Sequence, residues 1–158
     1  MKSKLLTNIT PGEILDEEFL KPMASALTQL GTERAWVVHG ADGLDEITIT
    51  GKTSVAEARG GEVRTFEIEP EAFGCERATL EGLASGDAEG NALVIHDVLA
   101  GTRRDQARTL VLLNAAAALH VGGQADDLRE AAERAEESID SGNALAKLEA
   151  LIAATREN

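Results

Sequence analysis

Ala35-Trp36-Val37-Val38-His39-Gly40-Ala41-Asp42-Gly43-Leu44-Asp45-Glu46 is the stretch on which the fold of this chain turns. Its first four residues are an unbroken apolar run with two β-branched members. Such a run predicts a strand covered on both faces, the kind that α/β sheets contain. The eight residues that follow hold two glycines and three carboxylates and predict a loop at the carboxyl end of that strand. Ligand sites of open α/β sheets lie beyond the carboxyl ends of strands. Chemistry is therefore expected first in this loop.

Upstream, Ile14, Leu15, Phe19, Leu20, Met23, Leu27 and Leu30 recur at steps of three and four, a helical stripe over residues 13–30. Pro22 interrupts it, so either the helix starts near Lys21 with Pro22 in its first turn, or it is kinked there. Gly31 is the expected stop. Downstream, the alternation in residues 47–50 and 63–68 predicts two strands, and residues 53–58 offer a further one closed by Gly60-Gly61.

After Pro70 the pattern becomes helical. Leu80 and Leu83 mark a short segment, and Ser85-Gly86-Asp87 offers a cap for a helix over 88–100. Asp105 caps the next, which runs through Leu110, Leu113, Ala117 and Leu119 to Val121 and stops at Gly122-Gly123. Its four consecutive alanines, 115–118, allow another backbone to approach closely. Asp126 opens a charged helix to Ile139, read as a solvated face. A last helix carries Leu145, Leu148, Leu151 and Ile152. The expected fold class is α/β: a small mixed sheet, including 35–38, 47–50 and 63–68, covered by the C-terminal helices.

Composition narrows the function. The chain has 158 residues, enough for one domain with a real core, and a net charge of −13. Aromatic residues make up 3%, with no tyrosine. Without a basic face or stacking aromatics, nucleic acid is not an expected partner. One cysteine, Cys75, excludes an internal disulfide framework and a cysteine zinc site. His39, His96 and His120 are scattered, which argues against a histidine metal cage. No run approaches the ~20 apolar residues of a membrane span, and the N-terminus lacks the apolar run of a signal peptide. A cytoplasmic location is expected.

Within the loop, Asp45 and Glu46 are adjacent hard oxygen donors with Asp42 nearby. Magnesium takes one or two protein carboxylates, substrate phosphates and several waters, and this pair suits that use. The same spacing also fits an ordinary solvated turn. His39 could donate to a phosphate or act as a base, or simply be hydrogen-bonded locally at the strand end. His96 and His120 read as helix-face residues. Cys75 sits in a turn with no base beside it and reads as inert. Neither glycine pair joins a strand to a helix with the spacing of a phosphate-cradling loop.

The segment from Val37 to Ile47 resembles the part of anthranilate phosphoribosyltransferases that carries an Asp-Glu magnesium pair. The likeness continues through Ser85-Gly86-Asp87-Ala88-Glu89-Gly90-Asn91-Ala92, Leu112-Leu113-Asn114-Ala115-Ala116-Ala117-Ala118-Leu119 and Ile139-Asp140-Ser141-Gly142, in order from about Leu20 to Thr155. Leu6-Thr7-Asn8 also resembles the start of a family segment. A pyrimidine-nucleoside phosphorylase, of similar architecture, matches the Gly-Leu-Asp-Glu loop less well.

The resemblance implies transfer of a 5-phosphoribosyl group from phosphoribosyl pyrophosphate to anthranilate in tryptophan biosynthesis, with magnesium at Asp45 and Glu46 and a homodimeric enzyme. Its Gly-Thr-Gly-Gly-Asp pyrophosphate loop, its Lys-His-Gly-Asn segment and its anthranilate arginine have no counterpart here, so no catalytic residue is assigned. Residues 1–158 are then expected to be a single truncated α/β domain, irregular over 1–12, with the family's N-terminal helical domain and one core strand largely absent. The chain is expected to be inactive alone, and to self-associate or bind a complementing N-terminal half. The alternative is a non-catalytic α/β remnant that serves as a binding or assembly module.

Overall fold

The computed structural model describes residues 15–81, 83 and 86–156. The expectations for residues 1–12, and the part of Ser85 in a helix cap, lie outside the described residues.

Three strands, β1 (Arg34–Gly40), β2 (Thr53–Arg59) and β3 (Glu62–Ile68), form a sheet of order β1-β2-β3 with both pairings antiparallel. The sheet expected to be mixed is thus antiparallel throughout the described residues. β2 and β3 are joined by Gly60-Gly61 with φ of 59° and 88°. A two-residue hairpin turn of type I′ takes positive φ at both central residues, which glycine does without steric cost. That turn fixes the register of Arg59 opposite Glu62 and places Val55 between Val38 and Phe66.

The register sorts the sheet into two faces. Trp36, Val38, Val55, Phe66 and Ile68 point one way, and Ala35, Val37, Ala56, Ala58 and Val63 point the other. The second face is covered by α1 (Lys21–Gln29) and the turn before it, through Leu15, Leu20 and Ala24. Small alanines on the strand let this helix sit close. A π-helical turn, Asp16–Leu20, leads into α1, whose first turn holds Pro22. The first of the two alternatives for this proline is the one found: α1 begins at Lys21 with Pro22 in its first turn, and the chain before it is also helical but more widely wound. Proline has no N–H to bond back four residues, and the wider winding accommodates that loss.

The first face is covered from the C-terminal side by α3 (Gln106–Val121) and α4 (Leu128–Asp140). Leu113, Ala116 and Ala117 of α3 and Ala131 of α4 close over Val55, Ile68, Phe73 and the buried Ile47 and Ile49. Arg108 of α3 reaches Glu136 (3.2 Å) and Asp140 (2.9 Å) of α4. A smaller core joins α2 (Ala88–Leu99) to these helices through Val98, Ala107 and Ile139. α5 (Asn143–Arg156) buries none of its residues fully. The α/β class and the cover by C-terminal helices are as expected.

Caps explain where the helices start. Asp87 accepts from the Gly90 N–H at 2.8 Å, and Asp105 from the Ala107 N–H at 3.0 Å. The charged helix starts one residue later than expected. Asp127 is its cap (Glu130 N–H, 2.9 Å), while the Glu130 side chain reaches back to the Asp126 N–H at 3.1 Å. Its acidic residues face outward, and Ala131, Ala135 and Ile139 form its buried stripe.

Three further differences concern residues 47–50, 53–58 and the segment around Leu80. Residues 53–58, only a further possibility in the sequence, form the central strand. Residues 47–50 form no strand: Ile47, Thr48 and Ile49 are all buried in an irregular loop. The threonine hydroxyls take the place of ladder partners. Thr53 Oγ1 accepts from the Thr48 N–H (3.1 Å) and Thr48 Oγ1 from the Thr50 N–H (3.0 Å). Leu80 and Leu83 lie in irregular backbone with a single turn bond, Leu83 N–H to Leu80 O at 3.2 Å, rather than in a helix.

The sheet is tied to α3 by a polar network at the Arg34 end. Glu57, whose side chain is 1% exposed, accepts from Trp36 Nε1 at 3.0 Å and from Arg64 Nε, with Arg34 Nε 3.8 Å away. Arg34 also donates to His120 O (2.7 Å) and approaches His120 Nε2 (2.6 Å) on the last turn of α3. Arginine has only donors, so Nε2 is the acceptor and Nδ1 donates to Ala125 O at 3.2 Å.

Candidate functional site

Residues 41–52 connect β1 to β2 and hold the acidic pair. The loop is closed at its base by bonds from the Gly40 N–H to Leu44 O (2.8 Å) and from the Ala41 N–H to Lys52 O (2.9 Å). Asp42 organises its interior. Its carboxylate accepts from the Thr48 hydroxyl, from Thr50 Oγ1 at 2.8 Å and from the Leu44 N–H at 3.2 Å. Burial alone would raise this carboxyl. The two hydroxyl donors and the Leu44 N–H outweigh it and hold Asp42 below its ordinary value.

On the other side the loop is fastened to the helix layer. Asn114 of α3 accepts from the Ile47 N–H at 3.0 Å and donates to Ile47 O at 3.1 Å and to Leu110 O at 3.0 Å. Ile49 O accepts from the Ala78 N–H at 2.9 Å. Asp45 and Glu46 lie between these fastenings and are exposed. Among the described residues neither carboxylate has a hydrogen-bond or ion-pair partner. Two unpaired hard carboxylates on an anchored loop fit a magnesium ion that keeps waters or substrate oxygens for its other positions. A self-contained metal cage is not formed, since no group of three or more metal-binding side chains occurs among the described residues.

Gly40 allows the loop to close. A β-carbon there would lie 2.6 Å from Asp42 Oδ1 and 3.0 Å from Thr48 Cβ. Gly40→Ala should therefore displace Asp42 from its threonine donors and destabilise the chain by about 1–3 kcal/mol. A melting curve checks this, and an unchanged midpoint would contradict it.

The other candidates are dispersed. His39 is half-buried on β1 beside a cleft of about 450 Å³ lined also by Leu15, Lys52, Ser54 and Glu67. Neither Asp45 nor Glu46 lines that cleft. His96 is exposed on α2 with its ring 3.4 Å from Asp97, and His120 belongs to the Arg34 network. Burial pushes the Cys75 thiol up, helped by Glu136 and opposed by Arg129, which keeps it protonated and unreactive. Sequence reasoning missed Asn114, although it is the one polar residue between Leu110 and Leu119. That isolated amide on an apolar helix was the available signal.

Residues 12–145 match the family model described as glycosyl transferase family, a/b domain. The chain belongs to this family. Two curated relatives are anthranilate phosphoribosyltransferases. That of Rubrobacter xylanophilus is 50% identical over 138 residues, 87% of this chain and 40% of the relative. That of Azospirillum brasilense is 51% identical over 142 residues, 90% of this chain and 40% of the relative.

Solved structures of family members agree. Anthranilate phosphoribosyltransferase from Thermus thermophilus superposes with a TM-score of 0.77 at 35% identity, covering 92% of this chain and 40% of that one. The Saccharomyces cerevisiae enzyme in complex with PRPP and Mg gives a TM-score of 0.75 at 30% identity, covering 87% and 40%. The chain thus resembles a part of anthranilate phosphoribosyltransferase and spans about 40% of the length of the relatives it matches. Among the described residues no helix is long and apolar enough to cross a membrane.

Proposed function

We propose that this chain supplies the acidic, metal-carrying portion of a phosphoribosyltransferase acting on anthranilate and phosphoribosyl pyrophosphate in the cytoplasm. The observation that carries the reading is the presentation of Asp45 and Glu46, exposed and without partners among the described residues, on a loop fastened at Asp42 and Ile47. The matched relatives support the substrate class. A bound magnesium ion would offset the charge of the pyrophosphate leaving group, with Asp45 and Glu46 as its protein ligands.

The rest of the reaction needs groups that this sequence does not contain. Departure of pyrophosphate from the anomeric carbon requires donors that hold its oxygens, and the acceptor amine must be positioned against that carbon. Neither the glycine-rich pyrophosphate loop nor the acceptor residues occur in the 158 residues. They come from outside this sequence, in a second chain or a further segment. Exposed Leu93, Ile95, Leu151 and Ile152 on α2 and α5 are consistent with such a neighbour.

The test is a transfer assay with anthranilate, phosphoribosyl pyrophosphate and magnesium. The other 60% or so of the Thermus thermophilus enzyme is added as a separate polypeptide or left out. The chain alone should give no turnover, and the mixture should give some. In the mixture, Asp45→Asn with Glu46→Gln should lower the rate roughly 10²–10³-fold. The same pair should leave the melting temperature nearly unchanged, because both side chains are exposed. Turnover by the chain alone that survives the double substitution would overturn the reading.

A further inference from the structure

The segment of α3 from Leu110 to Leu119 is built from leucine, valine and alanine, with Asn114 as its single polar residue. Asparagine within a helix is less favourable than alanine by roughly half a kcal/mol, and it gains nothing there unless its amide is used. Here the amide is fully used. Its oxygen takes the Ile47 N–H, and its two N–H donors go to Ile47 O and Leu110 O, all at 3.0–3.1 Å. Both backbone polar groups of the residue next to Glu46 are thereby held by one side chain on a helix that is itself packed against the sheet through Leu113, Ala116 and Ala117.

We propose that Asn114 is the positioning residue of the acidic loop, holding the backbone after Glu46 so that the two carboxylates face solvent in one arrangement. The inference rests on the reading that Asp45 and Glu46 carry the metal. A two-point grip on one residue removes the freedom of its peptide planes, and a metal with strict octahedral demands gains from ligands held in place. Asp42 holds Leu44 before the pair and Thr48 and Thr50 after it, so releasing Asn114 frees the peptide groups of Ile47 and leaves the rest of the loop fastened. The carboxylates should then remain accessible but lose their fixed arrangement.

The experiment follows backbone amides of the purified full chain by NMR while MnCl₂ is added as the probe. In the native chain, paramagnetic broadening should centre on residues 44–48 at millimolar manganese. In Asn114→Ala, the Ile47 amide should exchange with solvent about tenfold faster or more, while Leu113 and Ala116 keep their protection. The manganese concentration for half-maximal broadening should rise about tenfold, as when an outer-shell partner is lost. Should the alanine variant not fold, Asn114→Ser makes the same comparison. Serine can return its hydroxyl to Leu110 O but is too short to reach Ile47.

Unchanged Ile47 exchange and unchanged manganese response in the folded variant would overturn the proposal. Asp45→Asn with Glu46→Gln separates the two ideas. If that pair removes the broadening while the Asn114 variants do not shift it, the metal reading stands and the positioning role falls. If broadening survives the loss of both carboxylates, the metal reading falls and the proposal falls with it.

Discussion

Leu113→Ala should cost the chain roughly 3–5 kcal/mol and lower its melting temperature by about 6–20 °C. Leu113 is 0% exposed and sits where α3 meets the sheet, in one apolar cluster with Ile47, Ile49, Val55, Ile68 and Phe73. Truncation removes the transfer energy of the lost carbons and leaves a cavity that the packed alanines on either side cannot fill. Domains of this size are stable by about 5–15 kcal/mol in total, so a large share is at stake. Ile47 and Ile49 belong to the acidic loop, so the cavity should also loosen the loop. Leu93→Ala is the control. At 64% exposure it should change stability by no more than about 0.5 kcal/mol. Denaturant unfolding of both variants checks the pair, and a Leu113→Ala cost below about 1 kcal/mol would mean that α3 is not seated on the sheet as described.

Glu57→Ala should be the next most damaging change, at roughly 3 kcal/mol near neutral pH. The carboxylate is buried, and its loss strips Trp36 Nε1 of its acceptor and leaves Arg34 beside no counter-charge. Arg64 is largely exposed and would be rehydrated, which keeps the figure toward the lower end of buried-pair losses. The pH dependence has a definite sign. Burial pushes the Glu57 carboxyl up, but the Trp36 N–H and the Arg64 and Arg34 guanidinium groups outweigh it, and the folded value lies below the ordinary one. A depressed carboxyl contributes stability that is present above the unfolded value and is lost as pH falls through the folded one. The stability gap between the native chain and Glu57→Gln should therefore be widest near pH 7 and narrow below about pH 5. A gap that widens in acid would show that the network does not favour the ionised form.

Local signals were legible in the sequence, and for a common reason: each depends on residues within a few positions of one another. The apolar run at 35–38 became the core of β1, Gly60-Gly61 became the hairpin turn, and Asp87 and Asp105 became helix caps. The acidic pair was expected beyond a strand's carboxyl end, and the structure places it in the loop that leaves β1. Tertiary structure decided what residues distant in sequence had to settle. The alternation at 47–50 suits a strand, yet Asp42 offers the threonine hydroxyls an acceptor, and Asn114, 67 positions away, takes both backbone groups of Ile47. A ladder would have had to compete with those bonds. Glu57 is a carboxylate in the central strand, and it is buried because three partners from β1 and β3 converge on it. Periodicity and capping register the energy of neighbours along the chain. The burial of a charge and the fastening of a loop register the energy of neighbours in space, which only the folded chain brings together.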